Sequence, residues 1–475
     1  MSHDRLFLYK EKIKINTYSK RIIADTITPV EVYLKIRDKF PNSLLLESSD
    51  YMQAGNNYSF ICFNQTGFFE LKNHIINFKH PGKKSKEIKI SKRPISEYLN
   101  DYLKGYIVKA SESKFISNGL FGYMSHESVK YQENIEFSEK KDDLDIPDIY
   151  YGFYQNIIAI SLFNHEAHIY CNSYDNRNNI SEVENIINSK NYSVFSYKNI
   201  GKKISNITDN EFIEYVEKAK EHCKRGDVFQ LVLSRRFHQN FEGDEFNVYR
   251  SLRSINPSPY LFFFDYGSFK IFGSSPEAQI IINNGKAEIH PIAGTFRRTG
   301  NDERDNQKAK ALSKDPKENS EHIMLVDLAR NDLSRNGTDV KVEKNREIQF
   351  YSHVIHLVSK VTAILKDTSK IFQVVMDTFP AGPLSGAPKH KALTLIEKYE
   401  KVNRNFYGGA IGYMDFNGNF NHAIVIRSFF SKNNTLSYQA GAGIVIKSIP
   451  EDELQEVYNK LGALDKALEK AEDII

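Results

Sequence analysis

The segment that decides the fold class covers residues 208–237 and reads TDNEFIEYVEKAKEHCKRGDVFQLVLSRRF. Its first half has apolar residues at helical spacing and begins with Thr208 and Glu211, which are placed as a capping box. Gly226 follows as the residue that ends the helix. The second half alternates with a period of two and predicts a strand from Val228 to Phe237. The segment is therefore a helix that turns directly into a strand.

The rest of the chain continues this mixture of helices and consecutive strands. Asn284-Gly285 lies between two β-branched runs and predicts a type I′ hairpin turn. Ser448 and Glu451 predict a second capping box, with Pro450 in the first turn of the last helix. A further helix is expected at Glu321–Leu333, and Ser385–Tyr399 is expected to be a loop that leads into a helix with Pro388 in its first turn. Strands are expected at Gly409–Tyr413, His422–Phe429 and Tyr438–Ile446. This order favours an α+β fold with large antiparallel sheets.

The composition is that of an ordinary globular protein. The chain has 475 residues and a net charge of +4 with both signs mixed, which argues against a nucleic-acid or membrane partner. Its three cysteines, Cys62, Cys171 and Cys223, are far apart and predict neither a disulfide framework nor a zinc site. The N-terminus has no apolar signal segment, and no stretch is long enough to span a bilayer. We therefore expect a cytoplasmic protein.

Several short segments carry dense functional groups. They are Asp227–Arg236, Gly273–Glu277, Pro291–Thr295, Glu321–Asp332, Tyr351–His356, Gly386–Lys389, Tyr407–Ala410, Ile426–Arg427 and Gln439–Gly443. Together they resemble the chorismate-binding enzymes, and among these most closely the anthranilate synthase component I family. The resemblance extends from about Thr208 to the C-terminus, with a further match at Leu44–Ser48.

The resemblance implies a fold, a reaction and partners. The expected fold is that of chorismate-utilising enzymes, with antiparallel sheets packed together and helices on the outside. Residues 1–203 would form an N-terminal region with a tryptophan-binding segment, and residues 204–475 the chorismate-binding catalytic region. The implied reaction converts chorismate and ammonia to anthranilate and pyruvate, and tryptophan inhibits it. The ammonia would come from glutamine through a glutamine amidotransferase subunit, because no cysteine of this chain lies in a Gly-x-Cys-x-Gly setting.

The substrate of this family carries two carboxylates, so it requires cations and backbone donors. Arg427 offers a guanidinium fork that matches a carboxylate, although a surface ion pair is the plain alternative. Gly441 and Gly443 let backbone N–H groups approach an anion, or simply allow a tight sheet bend. The full set of substrate-binding residues implied by the resemblance is Gly294, Thr295, Tyr407, Arg427, Gly441, Ala442, Gly443 and Lys460.

Two glutamates on different helices are the implied metal ligands. Taken alone, Glu321 and Glu456 are ordinary solvated helix residues. The resemblance makes them the two carboxylates that hold Mg²⁺, and hard oxygen ligands suit that ion. Glu318 and Glu453 lie one helical turn away and are candidates to assist.

Glu277 and His356 are the implied catalytic pair. Glu277 matches the general acid of the family, and a carboxyl group in a dry pocket can carry a raised pKa and donate a proton. The resemblance links His356 to the later elimination, in which a proton leaves the aminated carbon and pyruvate departs. A histidine in an apolar stretch is otherwise most often a hydrogen-bonded core residue.

Two positions discriminate among the reactions of the family. Members that add water carry a lysine where this chain has Gln230, because water must be deprotonated. One type of aminodeoxychorismate synthase carries a nucleophilic lysine where this chain has Ala293, and alanine cannot form a covalent adduct. The pair favours direct attack by ammonia. Aminodeoxychorismate synthase component I and a non-catalytic tryptophan-sensing scaffold remain the alternatives.

A second set of residues resembles the tryptophan feedback site of the family. Glu47 and Ser48 would meet the amine of the ligand, and Pro259, Tyr260 and Leu261 would form the wall for its indole. The plain alternative is a strand edge that packs against a proline turn.

Two departures from the family pattern affect the site. Pro383 stands where a threonine usually precedes Leu-Ser-Gly-Ala-Pro-Lys, so a hydroxyl is lost and the loop is stiffer. After Pro-Ile-Ala-Gly-Thr, the usual Arg-x-Arg-Gly is replaced by Phe296-Arg297-Arg298-Thr299. We assign these arginines no role from the sequence.

Overall fold

The structure is a computed structural model that describes residues 12–48, 58–109, 115–135, 137–138, 140, 144–350 and 354–474. Its strands are β1 (Ile13–Ile23), β2 (Leu44–Glu47), β3 (Ser59–Lys72), β4 (Ile75–Lys79), β5 (Lys86–Lys89), β6 (Tyr106–Val108), β7 (Leu120–Met124), β8 (Ile149–Ser161), β9 (Glu166–Ser173), β10 (Tyr197–Ser205), β11 (Gln230–Gly243), β12 (Tyr260–Asp265), β13 (Lys270–Ser275), β14 (Ala278–Asn283), β15 (Lys286–Ile289), β16 (Ile292–Arg297), β17 (Gly337–Phe350), β18 (Val354–Leu365), β19 (Gly386–Ala387), β20 (Ala410–Met414), β21 (Phe420–Ile424), β22 (Ser428–Lys432) and β23 (Thr435–Ile444).

The helices are distributed along the whole chain. They are α1 (Pro29–Arg37), α2 (Ile95–Lys104), α3 (Ile180–Asn188), α4 (Asp209–Arg225), α5 (Phe246–Ile255), α6 (Asp302–Lys314), α7 (Pro316–Ser334), α8 (Ile371–Thr378), α9 (Gly382–Ser385), α10 (Lys389–Tyr399) and α11 (Pro450–Ala471), with 3-10 turns at His126–Tyr131 and Thr368–Lys370. Within the described ranges, no helix combines the length and the apolar character needed to cross a membrane.

The predicted helix-to-strand segment is confirmed. Thr208 caps α4 in a complete capping box with Glu211, and Gly226 ends the helix in the left-handed region. The following strand, β11, begins at Gln230, two residues later than predicted, and continues to Gly243. The hairpin turn at Asn284-Gly285 is also confirmed, since both residues have positive φ.

The strands form one antiparallel network, as the sequence predicted. Its hydrogen-bonded order is β10-β11-β23-β22-β13-β12-β2-β3-β8-β7-β20-β21-β14-β15-β18. Within the described part of the chain, the pairing of β1 with β6 is the one parallel contact. The fold is therefore α+β with large antiparallel sheets.

Strands from the first half of the chain are inserted into this network. β2 pairs with β12, and β7 pairs with β20, so early strands complete sheets built mainly from late ones. The predicted boundary between residues 203 and 204 lies inside β10, which pairs with β11. The division into two regions remains a prediction, and the hydrogen bonding across it is continuous.

Two chain crossings position the centre of the molecule. β13 continues into β14 through Pro276 and Glu277, and β21 continues into β22 through residues 425–427. The Ser274 N–H donates to the Arg427 carbonyl at 3.1 Å, and the Ile424 N–H donates to the Glu277 carbonyl at 3.0 Å. The two crossings therefore run side by side and bring Glu277 next to Arg427.

Two local predictions were wrong. The run His422–Phe429 was expected to be one strand, but it is two strands, and Arg427 between them has a φ of 49°. The capping box of Ser448 and Glu451 does not form, because α11 is capped at Ile449 and the Ser448 hydroxyl accepts the Val445 N–H instead.

Candidate active site

Glu277 and Arg427 face each other where the two crossings meet. Neither side chain forms a hydrogen bond with the described residues, and they interact through their charges. Burial raises the pKa of Glu277 to about 8, and the nearby Arg427 cation only partly opposes this rise. Burial also lowers the pKa of Arg427. A carboxyl group with this pKa keeps its proton at neutral pH and can donate it.

His356 lies close to the same pair. It is on β18, its side chain is 3% exposed, and its Nδ1 is 3.1 Å from the Gly294 carbonyl. Burial lowers its pKa to about 4, and Arg427 adds to this effect although the Gly294 contact opposes it. The imidazole is therefore neutral near pH 7. Because the carbonyl requires a proton on Nδ1, the basic lone pair is on Nε2.

β16 lies beside the strand that carries His356. Thr295 pairs with His356 in the register of the two strands, and the Thr295 side chain lies outside the described part of the structure. Gly294 has a φ of 63°, and a Cβ at this position would be 2.4 Å from Leu312. Only glycine fits here without displacing a neighbour. Ala293 is buried on the same strand.

Tyr407, Gly441 and Lys460 form a second cluster. Tyr407 is 4% exposed, and its hydroxyl lies near the Gly441 backbone. Lys460 on α11 donates to the Gly441 carbonyl at 2.8 Å and pairs with Glu456 at 2.6 Å. Gly441 lies on β23, next to the buried Ala442, which pairs with Leu233. Five of the predicted site residues therefore meet around one strand.

Glu321 lies beside the next glycine of that strand. The Gln230 amide donates to Glu321 at 3.1 Å, and a Cβ on Gly443 would come within 2.5 Å of the same amide nitrogen. Gly443 follows Gly441 at a strand spacing of about 7 Å. Glu321 and Glu456 therefore border neighbouring parts of β23. Glu318, one turn before Glu321, lies next to Gly294, since one of its oxygens would be 3.1 Å from a Cβ there.

A Mg²⁺ ion bound by Glu321 and Glu456 would have few protein ligands. Within the described residues, no group of three or more His, Cys, Asp or Glu side chains surrounds one point. The two carboxylates come from α7 and α11, so further oxygen ligands would come from water and from a bound carboxylate. Gln230 hydrogen-bonds to Glu321, and Lys460 pairs with Glu456. Both contacts would have to break before the carboxylates could bind a metal ion.

The two sequence departures have structural explanations. Pro383 is in the first turn of α9, where a missing N–H has no cost, and it lines a cavity of about 30 Å³ together with Glu277. Arg298 binds the buried carboxylate of Asp305 through Nε at 2.9 Å, so it stabilises the loop before α6. The side chain of Arg297 is outside the described part.

The predicted tryptophan-binding residues also come together. Leu261 pairs with Glu47 across β12 and β2, and Pro259 and Tyr260 lead into the same strand beside the partly buried Ser48. The buried Glu47 carboxylate accepts the Tyr249 hydroxyl at 2.6 Å and pairs with Arg253 at 3.0 Å. These residues, called the Glu47 cluster below, therefore lie together, and a ligand for them remains a prediction.

Sequence reasoning missed several residues that shape these sites. Tyr249 and Arg253 are four residues apart on α5, and this spacing was the available signal that both could reach one acceptor. Glu127 and Arg404 are 277 residues apart and hydrogen-bond to each other, and no local pattern indicates such a contact.

The comparisons with known proteins define the family. The model of the chorismate binding enzymes matches residues 50–466, and the chain belongs to this family. It is 36% identical to anthranilate synthase component 1 of Aquifex aeolicus, over 95% of this chain and 94% of that protein. It is 35% identical to anthranilate synthase component 1 of Bacillus subtilis, over 95% and 92%.

Solved structures agree with this assignment. The crystal structure of anthranilate synthase component I from Streptococcus pneumoniae matches with a TM-score of 0.73 at 29% identity, over 94% of this chain and 99% of that one. A menaquinone-specific isochorismate synthase from Escherichia coli matches with a TM-score of 0.72 at 16% identity, over 98% and 97%. The second likeness concerns the fold alone.

Proposed function

We propose that the protein is the chorismate-converting subunit of anthranilate synthase in tryptophan biosynthesis. It would combine chorismate with ammonia and release anthranilate, pyruvate and water. The observation that carries the proposal is the meeting of a protonated Glu277, a neutral His356 and the Arg427 cation at one point of the fold. The identity to anthranilate synthase component 1 over nearly the whole chain supports it.

The first step is amination of the ring. Ammonia forms a C–N bond, the ring double bonds shift, and the C–O bond of the ring hydroxyl breaks. The hydroxyl needs a proton to leave as water, and Glu277 holds that proton up to about pH 8. Arg427 would bind a substrate carboxylate and orient the ring toward Glu277.

The second step is elimination of pyruvate. A base removes the proton from the aminated carbon, the bond to the enolpyruvyl oxygen breaks, and the ring becomes aromatic. The enolpyruvate takes up a proton and becomes pyruvate. His356 suits the role of the base because its pKa of about 4 leaves it unprotonated near neutral pH.

Gln230 and Ala293 favour ammonia as the nucleophile. Gln230 donates its amide to Glu321, and an amide cannot deprotonate water. Ala293 offers no group for a covalent ring adduct. Aminodeoxychorismate synthase component I would retain the enolpyruvyl group, and a catalytically inactive tryptophan-sensing scaffold would consume no chorismate.

Mg²⁺ is the proposed cofactor. Glu321 and Glu456 would hold it, with support from Glu318 and Glu453 on the same helices. A bound divalent ion would neutralise charge on a substrate carboxylate. The rest of the substrate would be bound by residues of this chain. They are Lys460, Tyr407, Thr295 and the backbone of Gly294 and Gly441–Gly443.

A glutamine amidotransferase subunit is the proposed source of ammonia. None of the three cysteines has the sequence setting of a glutaminase nucleophile, and Cys62 and Cys171 are buried. Tryptophan is the proposed inhibitor, with Glu47 and Ser48 near its amine and Pro259, Tyr260 and Leu261 against its indole. Arg253 would bind its carboxylate while Glu47 binds the amine.

The proposal is tested by anthranilate fluorescence from the isolated chain with chorismate, Mg²⁺ and ammonium. We expect a signal that EDTA abolishes and tryptophan suppresses, while glutamine replaces ammonium only after an amidotransferase subunit is added. Chorismate loss without anthranilate would favour aminodeoxychorismate synthesis. No chorismate loss under any condition, including with the amidotransferase subunit, would favour the scaffold.

A further inference from the structure

Arg404 is a buried arginine that links the elements around Tyr407. Its side chain is 1% exposed and forms a two-pronged ion pair with Glu400, at 2.8 Å from Nε and 2.6 Å from Nη2. The same guanidinium donates to the carbonyls of Leu384, at 2.6 Å, and Val232, at 2.8 Å. One planar group therefore joins α10, α9 and β11.

The Glu400 carboxylate extends this network toward the glycine strand. Its Oε1 also accepts the Ser234 N–H at 2.9 Å and the Ser234 hydroxyl at 2.7 Å. Gln439 on β23 donates to the same hydroxyl at 2.7 Å. Ser234 and Gly441 are partners in the register of β11 and β23. The network thus reaches both strands that carry Gln230, Gly441 and Gly443.

Arg404 also lies next to Tyr407 itself. Its guanidinium carbon is 5.8 Å from the centre of the Tyr407 ring, and the chain turns directly from one residue to the other. The Tyr407 hydroxyl points to the Gly441 backbone at the other end of the ring. Arg404 contacts the face of the ring and its carbonyl accepts the Tyr407 N–H at 3.1 Å, so the orientation of the ring depends on Arg404.

A carboxylate from the first half of the chain holds this turn in place. Glu127 accepts the backbone N–H of Arg404 at 2.7 Å and that of Asn405 at 2.8 Å, one with each oxygen. The adjacent His126 N–H donates to the Asn405 carbonyl at 2.8 Å. Burial alone would raise the pKa of Glu127, but His126 and the backbone donors outweigh it and hold the value at about 2. Both oxygens are therefore available as acceptors.

We propose that Glu127 and Arg404 are positioning residues for chorismate binding, and that they act through the orientation of Tyr407. This inference rests on the proposed function, since it assigns Tyr407 to the substrate pocket. The first half of the chain then contributes directly to the chorismate site, besides carrying the predicted tryptophan segment.

The test compares KM values for chorismate and for ammonium in three variants. Glu127→Gln retains the shape but leaves one N–H without an acceptor, so we expect the KM for chorismate to rise about tenfold. Glu127→Asp keeps two acceptor oxygens and should recover part of the loss. Arg404→Lys keeps the charge but has three donors where the planar guanidinium makes four hydrogen bonds, so its effect should be at least as large. The KM for ammonium should change less than about twofold.

Asp244→Asn is the matched control. Asp244 forms another two-pronged pair with a half-buried arginine, Arg37, at 3.1 and 2.6 Å, and has no contact with the Tyr407 turn. We expect it to lower the melting temperature without changing the KM for chorismate. Equal losses of kcat with unchanged KM in the Glu127 variants, or a KM rise in Asp244→Asn as well, would overturn the proposal.

A double-mutant cycle tests whether Arg404 acts on chorismate binding through Tyr407. If Arg404 acts through Tyr407, Arg404→Lys should have little further effect on the KM for chorismate in a Tyr407→Leu background. Additive effects would contradict the proposal. All KM values can be measured as chorismate consumption, so the test still applies if the product is not anthranilate, and only the proposed function would then fail.

Discussion

The pair of Glu277 and Arg427 and the Glu47 cluster both place a glutamate beside an arginine, but they differ in hydrogen bonding. Glu277 is held opposite Arg427 without a hydrogen bond, and its pKa rises to about 8. Glu47 is more deeply buried than Glu277, and it contacts Tyr249 and Arg253 at 2.6 and 3.0 Å. One carboxyl group keeps a transferable proton, while one oxygen of the other is held by a hydroxyl and a cation.

The two arrangements suit different roles: proton donation for Glu277 and ligand binding for Glu47. A carboxyl group without hydrogen-bond donors is costly to ionise in a buried site, so it keeps its proton and can act as an acid. A carboxylate with two donors is a preformed receptor that can exchange a donor for a ligand amine. Changes at the first cluster should therefore alter turnover, and changes at the second should alter control.

The largest expected effect is at Glu277. Glu277→Gln keeps the size of the side chain but removes the acid, so kcat should fall by about a thousandfold or more. Chorismate binding, measured by calorimetry, should change little. A variant that retains more than a tenth of the turnover would remove Glu277 from the role of proton donor.

The next effect is at His356. His356→Ala should slow anthranilate formation by roughly a hundredfold, because the aminated intermediate loses its base. Chorismate should still be consumed at first, and an aminated compound that retains the enolpyruvyl group should accumulate and be detectable by mass spectrometry. Anthranilate formation without any lag or intermediate would assign the elimination to another group.

Substitutions in the Glu47 cluster should change inhibition by tryptophan and leave turnover unchanged. Glu47→Gln weakens the receptor for the ligand amine, so the inhibitory concentration of tryptophan should rise more than about tenfold. The chain contains no tryptophan, so the fluorescence of the added ligand reports binding directly. Unchanged binding in this variant would place the effector elsewhere.

The pH dependence of turnover tests the dry environment of Glu277. Only its protonated form donates, and its pKa is about 8, so kcat/KM should decline above that pH and be about tenfold lower near pH 9. Rates must be referred to the concentration of free NH₃, which itself increases with pH. A decline that begins near pH 5 would show that the carboxyl group is well hydrated.

The smallest effect is expected at Pro383. Because proline fits the first turn of α9, Pro383→Thr should change the free energy of unfolding by less than about 1 kcal/mol. The KM for chorismate should also change less than about threefold. Thermal unfolding and steady-state kinetics of the single variant check this. A large loss of activity would show that the shape of the cavity wall matters more than its polarity.

Local signals explain which elements the sequence could predict. α4 was predicted with its cap and its end because Thr208, Glu211 and Gly226 interact within a few residues. The run His422–Phe429 looked like one strand for the same reason. The break at Arg427 results from pairing with the β13–β14 crossing, which is about 150 residues away in the chain and leaves no local signal.

The resemblance to the family named the candidate site residues, but their pKa shifts could be derived only from the folded structure. The sequence named Glu277 and His356, but the raised and lowered pKa values follow from burial and from the position of Arg427. The contact of Glu127 with Arg404 joins distant segments and could not be found from either one. Ser448 shows the reverse case: the local sequence matches a capping box, but in the fold the Ser448 hydroxyl accepts the Val445 N–H instead.

The most direct test of the central claim is a product balance for the isolated chain with chorismate, Mg²⁺ and ammonium. Chorismate, anthranilate and pyruvate are quantified together over one time course. The account predicts that each mole of chorismate consumed gives one mole of anthranilate and one of pyruvate, and that Glu277→Gln suppresses all three changes alike. Chorismate loss without matching pyruvate would contradict the account.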